Sequence, residues 1–381
     1  MSAPPGPRPE PARRGPGAIV WLLPPVAVAL VTGVWAGLVR LGWELPSPGA
    51  SAVGAHGPLL ASGFFGALIA VERAAALAGA AAQGPRWRHA WALGAPLAAS
   101  VGSLGLALGM PAAVATGLLV GAAVLFTGAS LVVLARQRTL FNAVMALGAC
   151  SWVAGNLVLA LPGGTVPAAA PFWVGLLALT IAGERLELMR VRRPPQSAVL
   201  ALGGLALALV ASLGVGAFAA EIGARLTGGA LVALAAWMLA FDVARRTIRV
   251  PGLTRFTALA LLLGHVWLGV AGAVGLVAGA LYAGPTYDAA LHAAFLGFAF
   301  SMVLGHAPIV LPALSGVRLR FRLRAYVPLA LLHGSLVLRV LGDATGSAWA
   351  RAWGGVGNAL ALAAFIATTA LSIERRAPRR A

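Results

Sequence analysis

Of the 381 residues, 60% are hydrophobic and 10% charged, and the mean hydropathy is +0.90; a soluble domain of this size needs far more surface charge, so that class is excluded. Runs of about 20 apolar residues recur along the chain, which is the length that crosses a bilayer core. The formal net charge of +18 comes from 28 basic residues, all arginine, and in so apolar a chain it is no footprint of a nucleic-acid partner.

In chain order, residues 1–17 are rich in Pro and Arg and predict a disordered terminus. Twelve apolar spans follow, at 18–41, 55–78, 90–110, 112–135, 139–161, 168–190, 197–219, 223–243, 255–280, 288–311, 325–342 and 352–373. The first run exceeds a signal-peptide core and reads as a retained helix. Together the spans predict an all-α polytopic membrane protein, with one transmembrane domain over 18–373 and a basic tail at 374–381. Its first partner is the lipid bilayer. The single cysteine, Cys150, lies inside the fifth span and rules out a disulfide framework within the chain. No phosphate-binding loop, CxxC or CxxCH motif occurs, so neither nucleotide hydrolysis nor covalent c-type haem is supported.

Arginine clusters precede the first span and follow the second, fourth, sixth, eighth, tenth and twelfth. All fall on one side of a twelve-span chain, and the positive-inside rule then places both termini in the cytoplasm. The expected location is the bacterial cytoplasmic (inner) membrane. Trp43, Trp349 and Trp353 would mark the outer interface, Trp87 and Trp91 the inner one. Spans 2, 6 and 10 carry a weak repeat: aligning Glu72, Glu184 and His306 also aligns Gly63, Gly175 and Gly297. Spacing by four spans would give three pseudo-symmetric four-helix arcs.

Ionisable groups within a bilayer are costly and usually face the bundle interior. His56 opens span 2 and His292 opens span 10 from the same side, at matched depth. Two neutral imidazoles so placed can hold a haem iron from both faces; a helix-end histidine can also simply bond a neighbouring carbonyl. His265, His306 and His333 fall in the inner half, as a second metal site or as separate hydrogen-bonding groups, and no HxxxH or HxH spacing joins them. Glu72 and Glu184, each followed by Arg, are candidates for a proton relay or for ion pairing between helices.

His56-Gly57 with Leu60 one turn on resembles the low-spin haem helix of haem–copper oxidase catalytic subunits. More closely, the chain resembles the NnrS family of twelve-span haem- and copper-containing membrane proteins linked to nitric oxide tolerance. The matching features are His56 seven residues before Gly63, His292 five residues before Gly297, and the pair Gly305-His306. The resemblance implies haem b between His56 and His292, with electron transfer or nitrogen-oxide handling, a redox partner, and copper as a further cofactor. Two departures bear on the copper: Pro58 stands at the second histidine of that family's HxHEM motif, and Ala170-Pro171-Phe172 replaces a metal-binding histidine in span 6. Arg40, Arg339 and Arg351 are candidates for the haem propionates, since guanidinium pairs with carboxylate as a fork. The alternative is a secondary transporter of protons or a small solute, with the inner histidines and glutamates as its relay.

Overall fold

The computed structural model describes residues 18–46, 49–80 and 86–374. The expected disordered stretch 1–17 and the tail beyond Glu374 lie outside the described residues, as do the side chains of Trp87 and His89. Among the described residues, twelve helices are long and apolar enough to cross a membrane. They are α1 (Val20–Arg40), α2 (His56–Leu77), α3 (Ala90–Ala107), α4 (Ala112–Arg136), α5 (Leu140–Ala160) and α6 (Val166–Met189). There follow α7 (Gln196–Phe218), α8 (Ala220–Phe241), α9 (Leu253–Ala278), α10 (Gly284–Ser315), α11 (Leu323–Thr345) and α12 (Ala348–Ala370). No strand is present among the described residues beyond one isolated bridge, Leu319 to Ile373. The protein is an all-α polytopic membrane protein.

The expected spans coincide with these helices to within a few residues, except in the last third. Helix α10 starts at Gly284, with Pro285 in its first turn where no amide donor is needed. It also runs on through Pro308 and Pro312 to Ser315. Prolines inside membrane helices are tolerated where neighbouring helices satisfy the freed carbonyls.

Large apolar side chains such as Val114, Leu131, Leu200, Leu207 and Leu360 are exposed along the outer helices, as a lipid-facing surface requires. The centre belongs to α2, α6 and α10: their most apolar windows are 61%, 72% and 61% buried, against 50% or less for every other span. These are the three helices that the repeat aligns. Phe64 of α2 stacks on Phe300 of α10, with ring centroids 5.1 Å apart and planes 13° from parallel.

Both α2 and α10 contain a π-helical stretch, Leu59–Gly66 and Ala293–Phe300. The register that aligns Gly63 with Gly297 superposes these stretches residue for residue. In the same register α6 places Pro171 at the first position and is ordinary α-helix throughout. His292 aligns with Pro58, so the repeat does not relate the two outer histidines to each other.

Without a hydrophobic drive in lipid, helices associate by close packing over small residues. Helices α8 and α9 show this at Gly228 and Gly272. A Cβ on Gly228 would lie 2.6 Å from the Gly272 carbonyl oxygen, and one on Gly272 would lie 2.7 Å from the Gly228 carbonyl oxygen. Backbone cannot move aside as a side-chain end can. We therefore expect Gly228→Leu to lower stability by about 1–3 kcal/mol or more through overpacking, read as a lower melting midpoint in detergent. Gly229→Ala, whose nearest contact would be Leu276 Cδ1 at 3.8 Å, should leave the midpoint unchanged.

Candidate functional site

A short helix, Ala50–Gly54, ends in a turn at Ala55, and α2 starts afresh at His56. The break swings the imidazole against α1, where Nδ1 lies 2.7 Å from the Gly33 carbonyl oxygen. Only a glycine at 37 allows this seat, because a Cβ there would lie 2.7 Å from the His56 Cε1. On α10, His292 Nδ1 lies 2.8 Å from the Asp288 carbonyl oxygen one turn back. A carbonyl only accepts, so each Nδ1 carries the proton and each Nε2 presents a bare lone pair.

The two ring centroids lie 6.5 Å apart, with planes 27° from parallel. Two metal–nitrogen bonds of about 2.1 Å on opposite sides of one ion would place such centroids roughly 6.4 Å apart. Both histidines open onto a cavity of about 470 Å³, within the range of about 300–1,000 Å³ typical of cofactor pockets. Phe65, Phe295, Phe300 and Trp173 supply flat apolar wall, while Arg40, Arg339, Arg351 and Tyr287 supply polar groups. All five residues expected to contact haem therefore line one cavity. The donor set, the tautomers, the ring separation and the mixed apolar and cationic wall fit a haem held by two imidazoles.

Arg339 is not a free propionate partner as expected. It is buried and grips Asp288 as a fork, with Nε donating to Oδ2 at 2.7 Å and Nη2 donating to Oδ1 at 2.9 Å. Arg40 and Arg351 make no side-chain hydrogen bond to a described residue, which leaves them the better placed cations. Asp343 lies buried beside this pair and interacts with the Asp288 carboxylate.

The structure does not bring His265, His306 and His333 into one site; each is committed to a different neighbour. His265 Nε2 is 2.9 Å from Asp242 Oδ2. His306 Nε2 accepts from Arg185 Nη2 at 2.9 Å, and its Nδ1 donates to the Met302 carbonyl at 2.8 Å. His333 Nδ1 accepts from Trp267 Nε1 at 2.9 Å. Among the described residues no group of three or more His, Cys, Asp or Glu could hold a metal ion, and of the two readings of these histidines the observed contacts are those of separate hydrogen-bonding groups. Glu72 and Glu184 do come together: each feels the Arg73 charge, and Glu184 acts on Glu72. They are half-buried and feel each other electrostatically across α2 and α6 at the arginine-rich end, away from the imidazole pair.

Two features escaped the sequence reading. Asp288 and His292 stand at i and i+4, which puts them on one helix face, a spacing visible in the sequence whose meaning appears only with Arg339 in place. The second is a buried polar network in which Ser62, Trp173 and the Leu119 carbonyl all bond Asn156. No local pattern announces it, because its members come from four helices.

Comparison with known proteins gives a family without an activity. Residues 19–374 match the model of the family described as "Domain of unknown function (DUF8744)". No curated protein matches the chain.

Proposed function

We propose a haem-binding role, starting from the premise that this chain belongs to the DUF8744 family: it is an NnrS-like integral membrane protein in which His56 and His292 hold one b-type haem. The observation that carries this reading is the pair of imidazoles 6.5 Å apart, each with Nδ1 on a backbone carbonyl and both opening onto one cavity. When bound there, haem supplies one-electron redox chemistry. The residues of the chain do the rest. His56 and His292 ligate, the Phe65, Phe295 and Phe300 rings exclude water, and Arg40 and Arg351 meet the propionates. Electron transfer or nitrogen-oxide handling follows from the resemblance, with a redox partner at the end of the bundle that carries the cavity. With the arginine clusters in the cytoplasm, that end faces outward from the bacterial inner membrane.

The test is the absorption spectrum of the detergent-purified protein, oxidised and dithionite-reduced, with a pyridine haemochrome assay. One b-type haem per chain is expected. Protein expressed with ample haem yet lacking a Soret band would overturn the reading. In that case the half-buried Glu72, Glu184 and Arg73 within the spans favour a proton or solute transporter, to be sought as flux in proteoliposomes.

A further inference from the structure

The two imidazoles are supported differently. His56 has one second partner, the Gly33 carbonyl oxygen at 2.7 Å. His292 Nδ1 has the Asp288 carbonyl oxygen at 2.8 Å and, in addition, the Asp288 carboxylate at 3.3 Å. That carboxylate cannot drift, because Arg339 holds both of its oxygens and is itself buried. Arg339 is fixed in turn by the contact of α11 with α12, where a Cβ on Gly354 would lie 2.6 Å from the Arg339 backbone nitrogen. A carboxylate behind a ligating imidazole raises its basicity and fixes its orientation, and loss of such a partner typically costs about 10- to 100-fold in metal affinity.

The backbone follows the same asymmetry. His292 lies inside the continuous helix α10, whereas His56 follows the non-helical Ala55 and begins its helix.

Resting on the haem reading above, we infer that the two ligands are unequal: His292, backed by Asp288 and Arg339, anchors the haem, and His56, backed by a backbone carbonyl alone, is the weaker ligand. Asp288 is then a positioning residue, acting on the iron through His292.

The experiment uses the full-length haem-loaded protein in detergent, with carbon monoxide as the probe. His56→Ala should retain its haem, turn high-spin and bind carbon monoxide when reduced, while His292→Ala should lose most of its haem. Asp288→Asn, which keeps one oxygen for Arg339 but leaves its buried charge unbalanced, should lower the melting midpoint, raise the midpoint potential as a negative charge beside the haem is removed, and release haem to apomyoglobin about 10- to 100-fold faster. A mere packing role for Asp288 would leave the midpoint potential where it was. Equal haem loss in the two histidine variants, or the reverse order, overturns the inference. So does an Asp288→Asn protein with unchanged midpoint potential and haem release, which covers the case of a His292→Ala chain that does not fold. Wild-type protein without haem overturns the underlying reading as well; haem-loaded wild type with the wrong pattern overturns this inference alone.

Discussion

His265→Leu is expected to cost about 3–5 kcal/mol of stability, the penalty for leaving a buried charge without its partner. His265 is fully buried and the Asp242 side chain is 2% exposed, with Nε2 and Oδ2 2.9 Å apart. The other carboxylate oxygen accepts the Ala244 amide at 2.8 Å, so in the leucine variant the carboxylate keeps that bond and the more distant charge of Arg185. The reverse deletion is milder. Asp242→Ala leaves a buried imidazole whose Nε2 has lost its acceptor and whose Nδ1 already lacks a partner among the described residues, an orphaning of about 1–3 kcal/mol. Loss of the cap on Ala244 adds about 1 kcal/mol. Pairing His265→Leu with Asp242→Ala removes both polar groups and should recover part of the loss, giving a clear coupling energy in a double-mutant cycle. Unfolding of the four proteins in detergent measures this. Equal losses in the two single variants, or additive losses in the double, would show that the pair is not coupled as its geometry implies.

The contrast between His265 and His56 also explains what could be read from the sequence. The spans were legible because a bilayer dictates about 20 apolar residues per crossing whatever the fold. His56 and His292 stood out as imidazoles at matched depth in apolar runs, and Arg40, Arg339 and Arg351 as cations near the same end. By that criterion His265, His306 and His333 looked alike, and the criterion could not separate them. What separates them is the identity of the neighbours brought by other helices: Asp242 from the end of α8, Arg185 from α6 and Trp267 from α9. Those partners are distant in sequence, so no spacing rule finds them. The π-helical stretches were equally hidden. Leu59–Gly66 and Ala293–Phe300 are ordinary apolar sequence, and their register follows from packing at the bundle centre rather than from propensity. Such stretches concentrate at functional sites, and here each begins within three residues of an imidazole.

Asn156→Leu should be the most damaging substitution of a neutral residue, for a reason that lies in the same interhelical chemistry. Asn156 is fully buried; its Oδ1 accepts from Ser62 Oγ at 3.1 Å and from Trp173 Nε1 at 3.0 Å, and its Nδ2 donates to the Leu119 carbonyl at 2.8 Å. Ser62 in turn accepts from Trp152 Nε1 at 3.0 Å. One amide thus ties together α2, α4, α5 and α6. Interhelical hydrogen bonds in membranes are worth about 0.6 kcal/mol on average and about 1.7 kcal/mol at most, so three of them set a loss of about 2–5 kcal/mol. The upper part of that range is favoured because the indole of Trp173 is held in place and cannot turn its N–H to a new acceptor, whereas the Ser62 hydroxyl can rotate to one. Trp173→Phe, which removes one donor and keeps most of the ring, should cost about 1 kcal/mol on the same scale. The network reaches the cavity through Trp173, which lines its wall, and through α2, which carries His56. Haem content should therefore fall in the same order as stability: wild type, Trp173→Phe, Asn156→Leu. A leucine variant that melts like the wild type would mean that apolar packing alone fixes α2 against α6, and a leucine variant that melts early yet keeps all its haem would mean that α1 and α10 alone position the imidazoles.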